Sequence, residues 1–380
     1  MKVAFVSSLA SRWGGSELFW YRTARLALQE GHSVLLSLYE QKQYHPKVEE
    51  LRKQGAELHA RHNDTLYVQA PFAVRKWRNA QSRLVDRRPF EPLEAFDPDV
   101  VCVSLANTFD FVYDSKLRAF LSQYQGKVIL QSNFNAEHAP LPPSLLPPAG
   151  AIMQKASACV FASYRNLQVA QHQAALRLPE DRVHVLRAPV DVQVADYVPT
   201  TGNDEVSFCS MARFEVGLKG QDLLLQALAD DRWKARSWKL NFYGEGEDQA
   251  YIERLATFYG IGDRVHFHGY VSDLIEVWGQ NDILLMPSFA EGTPIVLMIA
   301  MLCGRPAVVT DVAGNAEVLA DDRTGFVAEA PTAALFDRAL ERAWQARDRW
   351  EEMGKRARET ALSSFDPHPE RTLLDLMTSV

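Results

Sequence analysis

The chain has 380 residues and a formal net charge of −7, which is too long for one comfortable core and implies two domains. Hydrophobic content of 47% with 23% charged residues is that of a soluble globular protein, and no apolar run approaches the roughly 20 residues that span a bilayer. Lys plus Arg against Asp plus Glu is 23 to 17 in residues 1–190 and 18 to 31 in residues 191–380, so the halves face different partners or different surfaces. The absence of a zinc-finger, RRM or KH signature argues against nucleic acid.

Along the chain, KVAFVSS (Lys2–Ser8) reads as a buried strand and not as a signal peptide, because Ser7 and Ser8 interrupt the apolar run. Residues Ser16–Gly31 carry an amphipathic pattern, with Ser16 as N-cap and Gly31 just past the helix end. HSVLLSLY is the next strand. In 71–88, six Arg and Lys residues stand against Asp86, while Ala73, Trp77, Ala80 and Leu84 share one helical face. Such a segment suits an anionic lipid surface or a solvated helix with Trp77 turned inward. DPDVVCVSL (Asp97–Leu105) and KVILQSN (Lys127–Asn133) are further strands, and Asp97 with Asp99 reads as a strand-entry turn, not a metal pair. The proline-rich Ala139–Gly150 predicts an irregular loop. SACVFAS and RVHVLRAPVD close the half, and Asp191–Glu205 has the composition of a linker.

The second half restarts the alternation: EVSFCSMARF, KLNFYGEG, RVHFHGY, DILLMP and PAVVTD read as strands, each followed by a helical pattern. Repeated strand–helix units imply parallel sheets covered by helices. The four cysteines (Cys102, Cys159, Cys209, Cys303) lie in apolar surroundings without metal-ligand spacing, as core residues in a reducing cytoplasm.

Three loops at strand ends carry candidate chemistry. After SMARF, Arg213 and Lys219 flank a glycine-bearing loop suited to a diphosphate. In SFAEGTPIVLMIAMLCGRP, Glu291 stands on a turn of Gly292, Thr293 and Pro294, before an apolar helix from Ile295 to Cys303 expected to be buried on all sides. In TDVAGNAEVL, Gly314 allows close backbone approach and Glu317 opens a helix. YGEGED begins like a dinucleotide loop, but Gln249 replaces the third glycine and the acids would repel a pyrophosphate. His266 and His268 form no convergent ligand set, so no metal and no cofactor are implied.

With these motifs in their order and spacing, and with GGSELFWYRTARLALQEGHSVLL at the front, the sequence resembles the family 4 glycosyltransferases. These are retaining enzymes of the GT-B fold: α/β, with two Rossmann-like domains and a cleft between them. The resemblance implies an acceptor domain at 1–191, a nucleotide-sugar domain at 192–360, and a helix in 361–380 that packs back on the first. It implies a UDP- or GDP-sugar as substrate, with Arg213 and Lys219 on the diphosphate and Glu291 near the donor sugar. Gly14, Gly15, Gly292, Thr293, Pro294, Gly314 and Glu317 would line the donor, and Asn133 and His138 would lie on the acceptor side. The implied function is hexosyl transfer to a glycan or lipid-linked acceptor in cell-surface polysaccharide synthesis. Metal would not be needed, and the place of action would be the cytoplasm or the inner membrane face. Two alternatives stay open, a silent GT-B partner subunit and a GT-B epimerase. The sequence departs from the family at Ile299, where a second Glu is usual, and at Ala188, where an Asn is usual.

Overall fold

Two parallel sheets organise the chain. The structure is a computed structural model that describes residues 1–10, 13–62, 89–137, 140–190, 197–199 and 205–380. Segment 71–88, His138 and most of the linker therefore lie outside the described residues. One unit comprises Met1–Pro189 with His368–Val380, and the other Val190–Pro367.

The first unit holds strands β1 Lys2–Ser7, β2 Ser33–Tyr39, β3 Glu57–Arg61, β4 Val100–Leu105, β5 Lys127–Ser132, β6 Ala158–Phe161 and β7 Val183–Val185. They pair in the order β3-β2-β1-β4-β5-β6-β7, all parallel. The strand order reverses at β1 and β4, and in open parallel sheets ligands bind outside the carboxyl ends at such a reversal. Helix Pro369–Ser379 lies on helix Gly15–Gln29. Leu373, Leu374 and Met377 are buried there, and Arg22 pairs with Glu370 at 2.7 Å. The preceding helix, Trp350–Ser364, belongs to the second unit.

The second unit holds β8 Val206–Met211, β9 Trp238–Tyr243, β10 Val265–Phe267, β11 Ile283–Met286, β12 Ala307–Thr310 and β13 Phe326–Ala328. Their order is β10-β9-β8-β11-β12-β13, again all parallel. Side chains alternate across the strands. Phe208, Phe242, Leu285 and Val308 therefore enter one apolar layer, and Cys209, Tyr243, Leu284 and Val309 the other. Here the order reverses between β8 and β11.

Several local expectations give way to the structure. The first helix is capped by Gly14 and starts at Gly15, so Ser16 is inside it and caps nothing. The proline-rich stretch is helical from Pro143, as a 3₁₀ turn and then helix Leu146–Lys155. Pro147 and Pro148 fall in that helix's first turn, where a missing N–H breaks no bond. The apolar helix runs Ile295–Leu302, one residue after Pro294, and Ile295, Val296 and Leu302 are only partly buried. Strand β3 had no alternating apolar signal, because Glu57 and Ala60 point to solvent at the sheet edge.

Candidate functional site

The site in the second unit begins with the two strands at the reversal. From β8 the chain passes through Arg213 into the short helix Val216–Lys219, and from β11 it passes through Pro287 and Ser288 to Glu291. Gly220, at φ 65°, ends that short helix, and a Cβ there would lie 2.2 Å from the Pro287 carbonyl oxygen. Only glycine lets the two loops approach this closely. They are then knitted by the main chain, with the Phe289 N–H donating to the Leu218 carbonyl at 2.9 Å.

That approach sets Lys219 against Glu291. Lys219 Nζ donates to Glu291 Oε1 at 2.7 Å, and Ser288 Oγ donates to the same oxygen at 2.7 Å. Glu291 is 8% exposed, so its charge is offset locally by the ammonium. Thr310 Oγ1, at the end of β12, donates to the Ser288 carbonyl at 2.6 Å, and Asn315 Nδ2 donates to the Thr310 carbonyl at 3.0 Å. The Glu291 turn thus leans on the next loop of the sheet. Gly292, Thr293 and Pro294 complete the turn, and the Ile295 N–H donates to the Thr293 carbonyl at 2.8 Å.

Arg213 is held by its main chain and not by its side chain. Gln221 Nε2 donates to the Arg213 carbonyl at 2.8 Å, while the guanidinium is 70% exposed and 3.9 Å from Glu215. The neighbouring loop braces it. Gly244, at φ 136°, would place a Cβ 2.0 Å from the Ala212 carbonyl oxygen, and the Phe214 N–H donates to the Glu245 carbonyl at 3.0 Å. Asp248 Oδ2 accepts from the Val216 N–H at 2.8 Å and so caps the Lys219 helix. The Gly-x-Gly of YGEGED therefore docks one loop on another.

A pocket of about 400 Å³ opens beside the ends of β9 and β10, lined among others by Tyr243, His268, Val271, Asp273 and Glu276. Tyr243 stacks on His268 at 4.6 Å, and His268 Nε2 and Asn241 Oδ1 are 2.9 Å apart. Burial, then His266 and Lys239, holds the His268 pKa down. No spacing motif in the sequence pointed to this pocket. Among the described residues no three of His, Cys, Asp and Glu gather as a metal-ligand set.

The other expected residues stand differently. Gly314 has an ordinary φ of −90°, and the left-handed residue of its loop is Ala313 at φ 46°. Glu317 is exposed on the short helix Asn315–Val318. In the first unit, Gly14 precedes the start of helix Gly15–Gln29 in extended conformation, so the helix's first N–H groups follow it. Asn133 is occupied by its own strands: Nδ2 donates to Ser104 Oγ at 3.1 Å and to the Leu105 carbonyl at 3.0 Å, and Oδ1 accepts from Gln131. It ties β5 to β4 and does not present its amide outward. Ile299 is 4% exposed inside an apolar layer.

Against this geometry the comparisons fall into place. Residues 198–360 match the family model for glycosyl transferases group 1. The fold is GT-B. Over its full length the chain is similar to Anabaena HepE, solved in complex with UDP, at a TM-score of 0.71 and 17% identity, covering 100% of both chains. Two curated relatives are similar over shorter stretches. The N-acetyl-alpha-D-glucosaminyl L-malate synthase of Bacillus anthracis is 33% identical over 128 residues, 33% of each chain. The lipopolysaccharide glucosyltransferase WaaG of Escherichia coli is 33% identical over 117 residues, 31% of each chain. The matches thus span about a third of these relatives' own length.

Proposed function

We propose that this chain is a retaining glycosyltransferase of family 4 that moves a hexosyl group from a UDP-sugar to a glycan or lipid-linked acceptor. The observation that carries this is the Lys219–Glu291 pair, built into the reversal point of a sheet whose segment matches the glycosyl transferases group 1. A leaving diphosphate gains negative charge as the glycosidic bond breaks. Lys219, with Arg213 swinging from its exposed position, offsets that charge where it develops. Glu291, once its lysine turns to phosphate, accepts from hydroxyls of the donor sugar. Gly314 and the turn Gly292–Pro294 supply main-chain groups around the donor. The nucleoside end reaches the pocket beside Tyr243 and Val271.

UDP is favoured over GDP because HepE was solved with UDP and with UDP-glucose. Retention follows from front-face displacement, with a donor phosphate oxygen taking the acceptor proton. Lys219 and Arg213 supply the positive charge, so the reaction proceeds without metal and without a cofactor. Four buried free thiols suit a reducing compartment such as the cytoplasm, and polysaccharide or lipopolysaccharide assembly is the process in which such transfer is used.

The test is a panel of UDP-, GDP- and ADP-sugars, with nucleotide release and product detected, for wild type and Lys219→Ala. Release of UDP by the wild type and its loss in the variant are expected. Nucleotide binding without turnover on any donor, with acceptor extracts present, would instead make the chain a silent binding subunit.

A further inference from the structure

The first unit has a second constellation, at the carboxyl ends of β1 and β2, that none of the donor chemistry uses. A small pocket is lined by Ser7, Leu9, Trp13, Glu17, Gln41, Tyr44 and His45, with Leu38 and Val48 behind. Trp13 lies face to face on His45, at 4.2 Å between ring centres and 18° between planes. Behind it, Trp20 and Tyr21 hold the indole at 5.7 and 6.0 Å. His45 Nδ1 accepts from the Lys47 N–H at 3.3 Å, which leaves the ring proton on Nε2.

Two polar groups converge here, Glu17 and Tyr44. Glu17 is 6% exposed. Its Oε1 accepts from Ser7 Oγ at 3.0 Å and its Oε2 from Trp20 Nε1 at 2.8 Å. Both donors are neutral, so among the described residues no cation offsets a charge on this carboxyl. Burial pushes its pKa up to about 7. Tyr44 Oη is buried and makes no hydrogen bond of normal geometry, although the Gln41 main chain is near enough to bias its ionisation. A buried hydroxyl without a partner in a lined pocket costs stability unless something else fills the bond.

The ligand class follows from charge and shape. An anion finds no Lys or Arg among the residues that line the pocket, and a cation finds a carboxyl that already accepts from two neutral donors and whose pKa burial raises. An apolar ligand would leave Tyr44 Oη dry. A neutral polyol with an apolar face meets all of them. The enclosed space is about 20 Å³, enough for about one water-sized group. It takes a single hydroxyl or hydroxymethyl arm, while the ring that carries the arm lies outside against Trp13 and Leu9.

We propose that this pocket is a sugar subsite of the acceptor, taking an arm of a neutral pyranose between Tyr44, Glu17 and Trp13. It selects a neutral hexose unit over an amino sugar or a uronic acid. The proposal rests on the glycosyl-transfer reading and adds the chemical class of the acceptor unit to it.

The test uses the full chain with methyl glucoside, methyl glucosaminide and methyl glucuronide, read by saturation-transfer NMR titration, with UDP titrated on the same samples. Tyr44→Phe keeps the shape and breaks no bond seen in the structure, so its thermal stability should equal or exceed that of wild type. The neutral glycoside should bind wild type best and bind Tyr44→Phe about tenfold more weakly, the worth of one hydrogen bond to a buried group. UDP affinity should be the same in both. Equal glycoside binding by wild type and Tyr44→Phe, preference for either charged glycoside, or no glycoside binding by a protein that binds UDP would each overturn the subsite and leave the transferase reading standing. Failure to bind UDP as well would overturn both.

Discussion

Lys219 and Glu291 are separated by 72 residues and joined by a 2.7 Å hydrogen-bonded ion pair. They meet because β8 and β11 are neighbours in the sheet and Gly220 lets their loops touch. In the proposed reaction the pair is exchanged for contacts to diphosphate and sugar. Lys219→Ala should weaken UDP binding by about 1.5–3 kcal/mol, the worth of a charge-assisted bond. Turnover should fall further, because the charge it faces grows in the transition state. Calorimetry with UDP beside initial rates separates the two effects. Unchanged UDP affinity would remove Lys219 from the diphosphate.

Gly220→Ala tests the loop contact without touching a charged group. The variant needs a left-handed alanine and a displaced Pro287 carbonyl, so it should destabilise the second unit by more than about 1 kcal/mol. The Lys219–Glu291 distance should lengthen, and activity should drop in the fraction that stays folded. Urea unfolding, with UDP binding measured well below the transition, checks both. A variant as stable and active as wild type would mean that the close approach is not needed.

Much of this was legible in the sequence. Apolar runs and helical patterns gave most strands of each sheet but neither β3 nor β13, and glycine-bearing loops at strand ends gave Lys219 and Glu291. Strand order was not legible, because parallel pairing leaves no local mark, and so the reversal between β8 and β11 came only with the structure. The roles of Gly244 and Asp248 were hidden for a related reason: what they touch, Ala212 and Val216, is some thirty residues away. Asn133 looked available because its partners Ser104 and Leu105 lie on another strand. Nothing in the sequence sets Glu17 apart from an ordinary acid in a helix's first turn, and only packing shows it to be buried.

Arg305 is one of the largest fully buried side chains. Its guanidinium donates to the carbonyls of Asn281, Val198, Cys303, Pro199 and Trp278. Burial holds its pKa below the usual arginine value. Arg305→Met fits the volume but leaves those carbonyls dry, so the second unit should lose about 3 kcal/mol or more. Differential scanning calorimetry of the full chain should show one transition lowered and the other unmoved. An unchanged profile would mean that water replaces the guanidinium.

Ile299 stands where the resembled family has a Glu that accepts from ribose. Here it lies in an apolar layer with Leu297, Met301 and Val309. Ile299→Glu should therefore cost at least about 2 kcal/mol of stability, a buried carboxyl having no donor to meet it. It should not tighten UDP binding. Wild type should bind UDP and its 3′-deoxy analogue within about 1.5 kcal/mol of each other, the range of one net hydrogen bond. A stable variant that binds UDP more tightly would show that residue 299 reaches the nucleotide after all.

The buried Glu17 carboxyl makes stability depend on pH. Its pKa rises from 4.5 in the open chain to about 7 in the folded protein, chiefly through burial, with Trp20 and Ser7 pulling the other way. Between those values the folded state holds the proton that the unfolded state has lost, so raising the pH favours unfolding. Stability is fullest below pH 4.5 on this account and falls until the folded group also ionises, near pH 7. At about 1.4 kcal/mol per unit, the loss is of the order of 3 kcal/mol. Glu17→Gln keeps the shape and has no proton to lose. Other groups titrate in the same range, His45 among them, so the quantity to measure is the difference between wild type and variant. Hydrogen exchange of the β1 amides, which Glu17 braces through Ser7, reports it locally at pH 5, 6, 7 and 8. Wild-type protection, corrected for intrinsic exchange, should fall relative to Glu17→Gln from pH 5 to about pH 7 and level off towards pH 8. A constant difference would mean that Glu17 ionises in the folded chain as readily as in the unfolded one.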